Sequence, residues 1–112
     1  MSELSTTNVT MRIEAIKTAL RNHPFLVREL LTPDGKGMNL DATPEALDLD
    51  EPADILVRIV WDIWNGTGET EFDKVLDQLP KDDFDAFVDA MKAFSDLRQK
   101  IWHSYATGAE ND

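Results

Sequence analysis

The sequence predicts an all-α protein, a compact bundle of four main helices plus one short helix. Apolar residues recur at helical spacing almost throughout, and strand-like alternation is nearly absent. Proline and glycine-rich breaks fall at the ends of the periodic stretches. At 112 residues the chain has the length of one domain. That domain is expected over 9–106, between a disordered N-terminal tail (1–8) and a disordered C-terminal tail (107–112), both rich in small polar residues.

The first helix is expected from about Val9 to Asn22, where Val9, Ile13, Ile16 and Leu20 make one apolar face. Pro24 ends it and suits the first turn of a short second helix running to Leu31. Phe25, Leu26, Leu30 and Leu31 are expected on its buried side. Thr32-Pro33-Asp34-Gly35-Lys36-Gly37 is a turn by composition. The stretch Met38 to Leu49 carries little pattern beyond a single turn starting at Thr43-Pro44, with Thr43 as cap.

From about Pro52 to Trp64 the apolar residues cover most of a helical circumference, which calls for burial on most sides. Such a helix is either the centre of the bundle or half of a subunit interface, and the central role is the commoner one. Asp54, Arg58 and Asp62 form its one polar stripe, in which Arg58 is expected to pair both ways. Asn65-Gly66-Thr67-Gly68 breaks the chain. Thr70 and Asp73 then resemble a capping box before Phe72, Val75, Leu76 and Leu79, and Pro80 stops that helix. The last helix, capped by Asp82, carries Phe84, Phe87, Val88, Met91, Phe94, Leu97, Ile101, Trp102 and Tyr105 at helical spacing.

Charge is unevenly placed. Residues 41–89 hold fifteen Asp/Glu against three Lys/Arg, whereas the chain as a whole has a net charge of −11. Direct nucleic-acid binding needs a basic surface, which Arg12, Lys17, Arg21, Arg28 and Lys36 are too dispersed to supply. Anionic membranes are disfavoured for the same reason. The longest apolar-rich stretch, Ile55 to Trp64, is also about half of the roughly 20 residues a span requires. No signal peptide is visible, so the cytoplasm is the expected location. Many of the acids have a local reason, because Glu51, Asp54, Glu69, Glu71, Asp73, Asp82, Asp83 and Asp85 sit at helix starts, where the macrodipole favours them.

The residues offer little chemistry. With no cysteine there is no disulfide, thiolate metal site or thiol nucleophile. The segment around Asp34 and Asp41 lacks an oxygen ligand at the first position of a calcium loop, so neither a metal nor another cofactor is expected. Asp96, Gln99 and His103 share a helical stripe that suits surface hydrogen bonding better than proton transfer. His23, before Pro24, is expected to cap or face solvent.

These features predict a protein without catalytic activity that binds another protein, its acidic segment steering a basic partner. Short, acidic and helical, the chain is similar to bacteriophage accessory proteins such as tail assembly chaperones, a likeness of composition. That likeness implies a chaperone or adaptor role. The candidate partner-binding residues are Val57, Trp61, Trp64 and Trp102, provided that Val57 and Trp61 face outward, where they would line a partner groove or a homodimer seam. The alternative is a nucleic-acid-mimicking inhibitor of a DNA-binding or defence protein. It would present Asp82, Asp83, Asp85 and Asp89 where its target expects phosphates.

Overall fold

The computed structural model describes the backbone of residues 2–111 and the side chains of residues 8–103. Its six helices are α1 (Ser2–Ala19), α2 (Pro24–Leu30), α3 (Pro44–Leu47), α4 (Ala53–Asn65), α5 (Phe72–Gln78) and α6 (Lys81–Asn111). The fold is all-α, and among the described residues the one β-type pairing is an isolated antiparallel bridge between Leu31 and Met38. The tails expected at 1–8 and 107–112 fall almost wholly on residues whose side chains lie outside the described set.

Helix α4 is the central helix. Ile55, Leu56, Val57, Ile59, Val60, Trp61 and Ile63 are all buried, so solvent touches it along the narrow stripe of Asp54, Arg58 and Asp62 and at its ends, Ala53, Trp64 and Asn65. It packs against α1 and α3. The loop before α3 is held to it by the Trp61 indole, whose Nε1 donates to the Ala42 carbonyl at 2.8 Å. Burying an indole N–H is favourable when it finds such an acceptor. Thr43 caps α3 as the sequence predicts, its hydroxyl accepting from the Ala46 amide at 3.1 Å.

Helix α1 lies between α4 and α6 and is buried on both sides. Ile13, Ile16 and Leu20 make the expected apolar face, while Met11, Ala15 and Ala19 add a second one. Its α-helical span ends at Ala19, short of Asn22. The Arg21 and His23 amides fold back onto Thr18 and Leu20, tightening the chain before Pro24, which excludes helical geometry at His23. Phe25 turns outward, because the seven residues of α2 leave a single inner face and Leu26 and Leu30 occupy it.

Helix α6 departs most from its pattern. Its buried row is Asp83, Ala86, Ala90 and Phe94, with only the alanines wholly enclosed, whereas Phe84, Phe87, Val88 and Met91 stand half-exposed beside it. Ala86 and Ala90 on α6, with Ala15 and Ala19 on α1, make both helices thin along their buried rows and let the backbones approach closely. The helix starts at Lys81, with the Phe84 amide bonded to the Pro80 carbonyl at 2.8 Å. Asp82 is therefore inside the first turn and does not cap it.

Ala90→Leu is expected to lower stability by about 1–3 kcal/mol through overpacking of the α1–α6 seam. Ala93→Leu, at an exposed position of the same helix, is expected to change it by less than about 0.5 kcal/mol. Urea denaturation of the two variants measures the difference.

Candidate functional site

The loop between α4 and α5 is built by the polar stripe of α4. Gly66, in the left-handed region at φ 79°, ends α4 by donating its amide to the Trp61 and Asp62 carbonyls. The chain then crosses back over α4 so closely that a Cβ on Gly68 would lie 1.8 Å from the Arg58 carbonyl oxygen. Asp62 locks this crossing by accepting from the Gly68 amide at 2.7 Å and the Thr70 amide at 2.9 Å. Arg58 pairs with Asp54 at 2.9 Å and donates to the Gly68 carbonyl at 3.3 Å. The expected Arg58–Asp62 pair does not form, because Asp62 is committed to the loop. Thr70 does not cap α5 either. Glu71 holds the N-cap position without a side-chain bond, and the Thr70 hydroxyl oxygen is buried beside Asp62 without a bond of good geometry. Partial burial raises the Asp62 carboxyl, but the donors around it at Thr70, Gly68 and Glu69 outweigh that and hold it below the ordinary carboxylate range.

The opposite side of the α4 C-terminus is closed by Arg12 of α1, which donates to the Ile63 carbonyl at 2.7 Å and the Trp64 carbonyl at 3.3 Å. A cation at a helix C-terminus satisfies free carbonyls and complements the dipole. The Arg12 guanidinium lies 5.5 Å from the Phe94 ring centroid, and Arg98 lies 5.3 Å from the same ring. Burial, and then repulsion by Arg98, lowers the Arg12 guanidinium from its ordinary value.

Between α4, the start of α5 and α6 an apolar groove of about 170 Å³ opens to solvent. Ile59 and Ile63 form its floor, Phe87, Met91 and Phe94 one wall, and Phe72 the rim. Phe72 is 76 % exposed, and Leu76, one turn further along α5, is 66 % exposed. Side chains of this size are seldom left so open next to an apolar groove unless something covers them.

The sequence-predicted partner residues do not come together. Val57 and Trp61 face the core, so neither lines a surface. Trp64 is half-buried against the core, and Trp102, 71 % exposed, stands far along α6. The four acids also differ in fate. Asp83 is 5 % exposed and meets His23 Nε2 at 2.8 Å, with Asn22 of the same turn donating to the Asp82 carbonyl at 3.2 Å. His23 holds the N-cap position of α2 as expected, without a side-chain cap bond, and its ring instead ties α2 to α6. Asp89 pairs with Arg21 at 2.7 Å and Asp85 with Lys81 at 3.1 Å, while Asp82 has no cation partner among the described residues. On the last helix Gln99 bonds Ser95, and nothing links Asp96 to His103 among the described residues. Among the described residues no group of three or more His, Asp or Glu is arranged to hold a metal ion, and no helix is long and apolar enough to cross a membrane.

No protein-family model, curated protein or solved structure matches this chain.

Phe72, Phe87 and Met91 line the groove and Leu76 is exposed one turn beyond Phe72, yet sequence patterning assigns all four to the core. The signal was the pair of alanines Ala86 and Ala90, which mark the truly buried face of α6 and so displace the larger residues outward.

Asp62 has its folded value depressed, so its stabilisation is complete above the unfolded carboxylate value of about 3.9 and is lost as pH falls through the lower folded value. Asp62→Asn is therefore expected to flatten the acid limb of a stability-against-pH curve below about pH 4. Asp83→Ala, which strips His23 of its partner, is expected to cost about 1–3 kcal/mol in urea denaturation, and Asp83→Asn less.

Proposed function

We propose that this chain is a non-enzymatic protein-interaction module, of the assembly-chaperone or adaptor kind, that binds its partner through the groove between α5 and α6. The supporting observation is the exposure of Phe72 and Leu76 beside a groove walled by Ile59, Ile63, Phe87 and Met91. Desolvating such side chains against a partner contributes about 25 cal/mol per Å² of apolar area. Phe72 and Leu76 are exposed, so they add little to the fold and are free to serve a second surface. Acidity and helical build fit the compositional likeness to bacteriophage tail assembly chaperones.

The nucleic-acid-mimic alternative is the weaker of the two. Asp83 is withdrawn into the protein, and Asp85 and Asp89 are paired with cations, so three of the four acids it relies on are engaged.

The test is co-purification of the tagged chain from its own host, as wild type and as the Phe72→Ser/Leu76→Ser double variant. Loss of a specific partner by the double variant, at an unchanged melting temperature, is the expected result. A partner kept by that variant removes the groove as the binding surface.

A further inference from the structure

We infer that the groove takes an amphipathic helix with an apolar stripe and basic flanks, inserting one large apolar side chain between Ile59, Ile63 and Met91. The inference rests on the interaction-module reading and specifies its partner. Three features lead to it.

The first is size. A cavity of about 150 Å³ accepts a molecule as large as benzene, so the 170 Å³ groove accommodates one leucine, methionine or phenylalanine side chain. The second is shape. Phe87, Met91 and Phe94 on α6 follow each other at four and three residues, so this wall presents a helical ridge, and Phe72 at the start of α5 stands at the rim. Such a ridge meshes with the i, i+4 ridge of another helix. An extended peptide would add to a sheet edge, and the described residues contain no strand to offer one.

The third is charge. The α5 side is acidic, with Glu69, Asp73 and Asp77 exposed, whereas Asp83, Asp85 and Asp89 are already paired and Arg12 and Arg98 stand over Phe94 in the α6 wall. Asp73 and Asp77 follow Phe72 and Leu76 directly on α5, both exposed and without a cation partner among the described residues. Basic flanks on the incoming helix complement this rim and speed its approach. A second copy of the chain would bring the same acidic rim against it, and like charges facing each other oppose that pairing.

Two synthetic peptides sharing one helical leucine stripe, one with lysine and one with glutamate on the other faces, distinguish the possibilities. Selectively labelled methionine methyl groups report the site, with Met91 in the groove and Met11 and Met38 in the core as internal controls. The expected result is that the leucine–lysine peptide shifts Met91 and leaves Met11 and Met38 in place. Phe72→Ser is expected to weaken its binding by about tenfold, equivalent to about 1.4 kcal/mol. Asp73→Lys/Asp77→Lys is expected to weaken it as well. If the leucine–glutamate peptide shifts Met91 equally, or the double charge reversal changes nothing, the basic-partner inference fails while the interaction module stands. A concentration-dependent Met91 shift without peptide makes the groove a seam between copies and overturns the inference. If neither peptide moves Met91, with or without binding elsewhere, the groove is not a helix-docking site, and the inference and the proposed surface fall together.

Discussion

A helix with apolar side chains on almost every side has to be enclosed, and α4 imposes that demand on everything around it. Seven of its thirteen residues are buried, and no single neighbour covers so wide an arc. Helix α1 covers one side, the loop before α3 covers another through the Trp61–Ala42 bond, and α5 and α6 close over the rest. The polar stripe is also used. Asp62 and Arg58 hold the loop after α4 against the helix that supplies them, and Gly68 lets that loop approach within van der Waals distance of the α4 backbone. Arg12 then closes the carbonyl end, so a surface cation on α1 becomes part of the support for α4.

The close α1–α6 seam has a consequence for function. Because alanines make that contact, the large residues of α6 are rotated off it and gather beside α5. Phe87 and Met91 are thus half-buried with their outer edges open, and Phe72 carries the same apolar surface to the start of α5. One packing choice, small residues on the inner row, both joins the bundle and leaves a groove. The acids follow a parallel logic: those near α1 and α2 are consumed in pairs with His23 and Arg21, while those on α5 remain free beside the groove.

Much was legible from the residues. The all-α class, the order of the helices, the cap at Thr43, the turn at 32–37 and the centrality of α4 all follow from spacing and from proline and glycine, because backbone geometry and helical periodicity are local properties. The groove was not legible in this way. Periodicity assigns a stripe to Phe84, Phe87 and Met91 but is blind to which edge of that stripe a neighbour takes, and alanine is too weakly apolar to compete in such a pattern. The burial of Val57 and Trp61, the outward turn of Phe25 and the commitment of Asp62 to the loop likewise depend on contacts between residues distant in sequence. So does the division of the acidic segment into paired, buried and free carboxylates, since a count of charges holds no information about which cations stand across from them.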